Sequence, residues 1–246
     1  MTALAVRGLH FAYPDGRRAL DGIDLDVAEG ERVAVLGPNG AGKTTLVLQL
    51  NGILRPTRGT VTVGDLDVVA ANLREVRRRV AIVFQDPDDQ LFMPTVDDDV
   101  AFGPANLGLR GDALDARVRG ALEAVGMAEH GARAPHHLSA GQRRRAAVAT
   151  VLAMHPQLLV LDEPTSHLDP AARRELSTVL RSLELTTLLV THDLPYALEL
   201  CPRSVILDRG RIVADGPTVE LLSDGPLLAA HRLELPRGYD PQLAGP

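Results

Sequence analysis

The chain of 246 residues contains one lysine, Lys43; every other basic residue is arginine. Tryptophan is absent and aromatics make up only 3% of the residues, so each tyrosine or phenylalanine in a conspicuous place is weighed on its own. The one cysteine, Cys201, excludes an internal disulfide and suits a reducing cytosol, its ordinary use being that of a buried small apolar side chain. A net charge of −6 supplies no general basic field for nucleic acid or anionic lipid, although it leaves room for a local basic patch. No apolar run approaches the roughly 18 residues of a membrane span, and Met1-Thr2-Ala3-Leu4 lacks the basic and apolar regions of a secretion signal. If the protein serves a membrane, it is expected to do so from outside the bilayer. The apolar fraction of 45% and charged fraction of 24% are those of an ordinary globular chain, with enough length for one large domain or two small ones.

The lone lysine stands in Gly37-Pro38-Asn39-Gly40-Ala41-Gly42-Lys43-Thr44, which fits the pattern G-x-x-x-x-G-K-[ST] at every position. Val33 to Leu36 enter it as a buried strand. Thr44, Thr45, Leu46, Val47, Leu48 and Leu50 leave it as an apolar-rich helix, so the strand, loop and helix context that the pattern requires is present. Its glycines let successive N–H groups turn inward, and the helix start adds a positive dipole end; together these bind a di- or triphosphate. Lys43 then neutralises the terminal phosphates, and Thr44 offers a hydroxyl to Mg²⁺. A compact ammonium on a flexible stem does something at position 43 that a planar guanidinium fork would do less well.

Around this loop the pattern is that of an α/β protein. Leu4, Val6 and Leu9, a turn at Tyr13-Pro14-Asp15-Gly16, and Ile23, Leu25 and Val27 predict antiparallel strands; Tyr13 at the turn is open to a second use, as a half-buried strand aromatic. Strands are expected at 59–64 and 66–68, a short charged helix at 73–79, and a buried strand at 80–84 that ends in Gln85-Asp86-Pro87-Asp88-Asp89-Gln90. Gln85 can reach a metal ion or a water there, or be an ordinary loop residue. From Thr95 to Met154 the strand signals stop. Thr95 followed by Asp97 and Asp98 starts a helix, and Leu114, Val118, Ala121, Leu122 and Val125 mark one apolar face of another. Leu138-Ser139-Ala140-Gly141-Gln142 opens a helix expected over 143–154, with Ser139 a ligand-facing hydroxyl or only an N-cap. Leu158 to Leu161 deliver Asp162 and Glu163 at the carboxyl end of a buried strand, where open α/β sheets bind ligands. Two adjacent acids there call for a cation, unless they are a solvated loop pair. A helix over 170–183, a strand at 188–190 followed by His192, and short strands at 205–207 and 212–213 complete the pattern, while the stretch from Gly225 lies outside it.

Together, the loop at Gly37, Gln85, the run 138–142, Leu158 to Glu163, Ser166-His167-Leu168-Asp169 and His192 stand in the order of an ATP-binding-cassette ATPase, and the resemblance covers nearly the whole chain. The stretch Phe84 to Phe92 and the closing Leu233-Glu234-Leu235-Pro236 resemble the ATPase subunit of energy-coupling-factor importers, the cobalt and nickel type especially. The resemblance implies a P-loop ATPase core with an N-terminal antiparallel β subdomain and an inserted α-helical subdomain at about 86–154, the cassette ending near 225 and a tail occupying 226–246. It implies that Tyr13 stacks on adenine, that residues 37–45 hold ATP, and that Thr44, Gln85 and Asp162 hold Mg²⁺. Glu163 is then the general base, Gln85 also touches the lytic water, His192 holds the γ-phosphate beside Lys43, and Ser139, Gly141 and Gln142 complete the ATP site of a second subunit. The partners implied are a second ATPase subunit, identical or paralogous, and integral membrane energy-coupling and substrate-binding subunits, with no nucleic acid; the location is the cytoplasmic face of the cell membrane. A vitamin importer of the same type, or a nucleic-acid-associated cassette, are the alternatives. Ala140, where glycine is commoner, and His167, where a small residue is usual, depart from the family pattern. Asp86, Asp88 and Asp89 beside the apolar pair Leu91 and Phe92 are expected to form the surface on which a membrane subunit docks.

Overall fold

The computed structural model describes residues 1–243 and divides into two compact units. The first comprises Met1–Val80, Gln157–Glu163 and the chain from Leu185; the second comprises Ala81–Pro156 and Pro164–Glu184. The helical unit therefore takes in 164–184 as well as the segment expected at 86–154.

In the first unit, β1 (Thr2–Ala12), β2 (Arg18–Ala28), β4 (Arg58–Val63) and β5 (Leu66–Asp67) form an antiparallel sheet in the order β2-β1-β4-β5. Leu4, Val6 and Leu9 are all fully buried, although strict alternation would turn Leu9 to the opposite face from Val6. A register shift between Val6 and Leu9, at Gly8 with φ +51°, supplies the extra residue that brings Leu9 back inward. The turn after β1 closes through Gly16 N–H donating to the Tyr13 carbonyl at 2.9 Å.

The second sheet of this unit places β3 (Arg32–Leu36) between β8 (Thr186–Thr191) and β9 (Arg203–Asp208), with β7 (Leu158–Asp162) beyond β8 and β10 (Arg211–Pro217) antiparallel to β9. β3, β7, β8 and β9 run parallel, and their apolar residues, Val33 to Leu36, Leu158 to Leu161, Leu188 to Val190 and Val205 to Leu207, are all fully buried. Continuous apolar runs are what a sheet covered on both faces requires. Their carboxyl ends emerge together, which is where the chain puts its chemistry. The helices here are α1 (Lys43–Leu50), α2 (Leu73–Arg79), α7 (Leu194–Leu200), α8 (Thr218–Ser223) and α9 (Gly225–Ala230). Neither α7 nor α8 is signalled by spacing; each has fewer than eight residues, too few to show a period, and their burial comes from tertiary packing.

Residues 225–233 are built onto this unit. Leu228 and Leu233 are buried, and His231 and Arg232 bond the two oxygens of Asp208 at 3.1 and 2.7 Å. Asp208 is itself buried at the end of β9, immediately before the loop whose Gly210 N–H donates to the Ala41 carbonyl at 2.9 Å.

β6 (Val80–Val83) leads into the second unit, which contains α3 (Val96–Asn106), α4 (Gly111–Ala124), α5 (Ala140–Leu152) and α6 (Pro170–Ser182). Thr95 caps α3 by accepting from Asp98 N–H, and Val118, Ala121 and Leu122 form the buried stripe of α4. α5 starts at Ala140, three residues earlier than its apolar pattern predicts. A reciprocal cap explains the extension: Ser139 Oγ accepts from Gln142 N–H at 3.2 Å, while Gln142 Oε1 accepts from Ser139 N–H at 3.0 Å. Asp169 caps α6 by accepting from Ala171 and Ala172 N–H.

Candidate active site

β3 ends at Leu36 and the chain turns through the glycine-rich loop into α1. Two glycines are required by close approach: a Cβ on Gly37 would lie 2.2 Å from the Leu207 carbonyl oxygen, and one on Gly42 2.5 Å from that of Ala19. Gly40 stands in open space, and its φ of +79° alone accounts for the residue. Pro38 is half-buried, Asn39 exposed and Ala41 buried. α1 has Gly42 as its N-cap, so no side chain caps it, and no acid lies in its first turn. With no acid of its own in the first turn, that helix end suits an external anion.

Lys43 is 7% exposed and folds back over the loop, Nζ donating to the carbonyls of Gly37 at 2.7 Å and Pro38 at 3.1 Å. Burial pulls its pKa below the ordinary lysine value, against the opposing pull of Glu163 and Asp162. Thr44 is exposed and Thr45 buried. The Tyr13 hydroxyl hydrogen-bonds Thr45 Oγ1 at 2.9 Å, which ties the aromatic at the first turn to α1. The Tyr13 ring meets Phe11 edge-on, and the Arg17 guanidinium lies 4.7 Å from its centroid, so a base stacking on that face would displace Arg17.

β7 delivers Asp162 and Glu163 to the same sheet end, 3% and 6% exposed. Glu163 has φ +48°, a left-handed conformation that costs a non-glycine residue ~1–2 kcal/mol. Its N–H donates to the Val190 carbonyl at 2.8 Å, which holds the turn on β8. Glu163 Oε2 accepts from Thr191 Oγ1 at 3.2 Å and meets His192 Nδ1 at 2.9 Å, and Oε1 lies 3.9 Å from Lys43 Nζ. Backbone strain at a buried acid held by three side chains marks a functional position. With Nδ1 engaged by Glu163, Nε2 is the ring nitrogen of His192 left to meet a ligand. Lys43, Asp162, Glu163 and His192 are thus brought together in one unit. Two buried acids with a neighbouring helix start suit a divalent cation and a polyphosphate, and Thr44 and Asp162 are hard oxygen donors that this unit offers.

Gln85, Ser139, Gly141 and Gln142 belong to the second unit. The Gln85 side chain is exposed. Ser139 Oγ, as N-cap acceptor, keeps its own proton to donate, whereas the Gln142 amide is committed to the cap and to His130 Nε2 at 3.2 Å. Gly141 is buried, and a Cβ there would come within 2.6 Å of Ala172 Cβ; packing against α6 already requires a glycine. Leu91 is buried at 7% exposure, so the pair expected as an apolar docking anchor is corrected: Phe92, 63% exposed, pairs instead with Phe102 at 5.1 Å. His167 has φ +63° in the loop before α6.

Two residues, one in each unit, carry no sequence signal that spacing could reveal. Thr191 looks like the last residue of a strand. Arg144 is the middle of Arg143-Arg144-Arg145, which reads as a solvated basic run; it is 2% exposed and bonds the carbonyls of Phe84 and Gln85.

Residues 20–166 match the ABC transporter family. An ABC transporter ATP-binding protein of Streptomyces coelicolor is 69% identical over 240 residues, covering 98% of this chain and 92% of the relative. The energy-coupling factor transporter ATP-binding protein EcfA of Methanothermobacter thermautotrophicus is 46% identical over 242 residues, covering 96% of this chain and 78% of that one. Among solved structures, cbiO1 from Clostridium perfringens, part of the ABC transporter complex cbiONQ, superposes with a TM-score of 0.83 at 37% identity, covering 96% of each chain. The dimeric, post-hydrolysis ATP-binding cassette MJ0796 bound to ADP and phosphate superposes with a TM-score of 0.77 at 26% identity, covering 87% of this chain and 98% of the other. The chain has the fold of these ATPases, and with the phosphate loop, the buried acids and this breadth of likeness it belongs to the ABC transporter ATP-binding family, as an Mg²⁺-dependent ATPase coupled to transport.

Proposed function

We propose that the chain powers an importer of the energy-coupling-factor type as a peripheral subunit on the cytoplasmic face of the cell membrane, and that the cargo is a cobalt or nickel ion. The observation that carries the chemistry is the buried Glu163 carboxylate, held by Thr191 and His192 beside Lys43. Likeness to EcfA and to cbiO1 supports the transporter type.

Glu163 accepts the proton of the water that attacks the γ-phosphorus; the bond to the β-γ bridging oxygen breaks and ADP leaves. Lys43 exchanges its loop carbonyls for phosphate oxygens, and residues 37–45, Pro38 apart, surround the phosphates with N–H donors. His192 steadies Glu163 through Nδ1 and the γ-phosphate through Nε2. Thr44, Asp162 and Gln85 would hold Mg²⁺, which would supply positive charge to the phosphates. Tyr13 stacks on the adenine, with Arg17 moving aside. Since one chain carries one phosphate loop and one Ser139 run, two subunits sandwich two ATP molecules, Ser139 and Gly141 facing the partner's nucleotide, and the partner is this chain again or a paralogue. Among the described residues no helix is long and apolar enough to cross a membrane; the passage belongs, in this reading, to integral subunits. Phe92 and Phe102, with Asp86, Asp88 and Asp89 just before Phe92 in the chain, are the surface on which a basic cytosolic helix of such a subunit docks.

The test is copurification from detergent-solubilised membranes, followed by uptake assays in cells lacking the chain. Integral partners in the eluate and loss of radiolabelled cobalt or nickel uptake are expected. Intact metal uptake with lost vitamin uptake would replace the cargo, and absence of integral partners would overturn the importer reading.

A further inference from the structure

Arg144 projects from the first turns of α5, yet it is almost entirely buried. Its guanidinium spans two consecutive carbonyls, Nη1 donating to Phe84 O and Nη2 to Gln85 O, each at 2.7 Å. Its neighbours go elsewhere: Arg143 to the Leu138 carbonyl and Asp88, and Arg145 to Glu175. A rigid planar fork fixes the direction of both carbonyls it bonds, which a single flexible donor does not. The peptide planes on either side of Gln85 Cα are thereby set, while its side chain stays exposed.

A second stitch fastens the other end of the same loop. Gln90 Oε1 accepts from Phe84 N–H at 3.2 Å, and its Nε2 donates to the Ala147 carbonyl at 2.8 Å and to Thr150 Oγ1 at 2.7 Å. Arg144, Ala147 and Thr150 follow one another at intervals of three, along one face of α5. The loop from Phe84 to Gln90 is therefore laid along the helix that Ser139 caps. Withdrawing the loop would leave a buried guanidinium with two bonds unmade, a costly state that keeps the loop seated.

We propose that Arg144 is a positioning residue for hydrolysis, which sets the backbone of Gln85 so that its amide meets the metal ion and the lytic water; this rests on the reading of Gln85 given above. The experiment compares wild type, Arg144→Met, Arg144→Lys, Gln85→Ala and the double variant Gln85→Ala/Arg144→Met by kcat, ATP affinity, melting temperature and amide exchange. Arg144→Met is expected to lower kcat roughly 10- to 100-fold, as a misplaced catalytic group does, with ATP affinity preserved and faster exchange over residues 84–91. The double variant should be no slower than Gln85→Ala, because both changes remove one function. Should Arg144→Met not fold, Arg144→Lys keeps the buried charge without the fork and should show the same pattern more weakly. Losses that multiply in the double variant, or a lowered melting temperature with normal kcat, would overturn the proposal. A normal kcat in Gln85→Ala would overturn the reading of Gln85 and the role of Arg144 with it; a slow Gln85→Ala beside normal Arg144 variants would overturn Arg144 alone.

Discussion

Glu163 occupies a backbone conformation that few glutamates adopt, and its carboxylate is held by a threonine and a histidine from the neighbouring strand end. Glu163→Gln preserves the shape and removes the base, so hydrolysis should fall by roughly 10² or more, about 2.7 kcal/mol of barrier, while ATP binding persists. Near-normal turnover in that variant would sink the assignment. Tyr13 separates two effects that one substitution would blur. Tyr13→Ala removes the stacking face and should raise KM for ATP with little change in kcat, since stacking is alike in ground and transition states. Tyr13→Phe keeps the ring but loses the bond to Thr45, so it should leave KM alone and cost ~1 kcal/mol of stability, read as a lower denaturant midpoint. An unchanged KM in Tyr13→Ala would make Tyr13 a packing residue only.

At the scale of elements, the C-terminal segment and the caps carry the predictions. Burial by itself would raise the Asp208 pKa, but its bonds to His231 and Arg232 win and hold it below the ordinary carboxylate value. A depressed acid contributes stability that is present above the unfolded pKa, near 3.8, and is lost as the pH falls through the lower folded value. The melting-temperature gap between wild type and Asp208→Asn should thus close in acid, as the pH falls below about 4. A gap that stays the same at pH 2 and pH 7 would show that the clamp's charge is irrelevant. In the helical unit, Asp169 caps α6 through two N–H groups, and Asp169→Ala should cost ~1 kcal/mol in urea unfolding.

For the whole molecule, Cys201 offers a reporter of unfolding. It is 1% exposed, and burial pushes its thiol up to about 12, so labelling at pH 8 should proceed only through opening of the fold, at a rate that ATP with Mg²⁺ slows. Rapid labelling of the native protein would contradict the packing around α7. Assembly is tested by Asp88→Arg with Asp89→Arg, which should weaken pull-down of an integral partner while nucleotide binding survives; equal loss of both would place the defect in the fold instead.

Local chemistry made the phosphate loop legible without coordinates, because its glycines, lysine and threonine act through backbone conformation and contiguous spacing. The all-buried parallel strands were legible for a similar reason: a run such as Leu158 to Leu161 is tolerable only inside a covered sheet. Ser139 as a helix cap belongs to the same class. What the tertiary structure alone decided are pairings between distant segments. Sequence position says nothing of Thr191 and His192 closing on Glu163, of His231 and Arg232 reaching Asp208, or of which arginine in 143–145 turns inward. Nor does it show that Leu91 is core while Phe92 is exposed, or that Gly141 is demanded by Ala172. Spacing encodes the face of an element, but the neighbour on that face is set by packing of the whole chain, and at Arg144 the burial of one guanidinium turned a surface-like run into support for a loop.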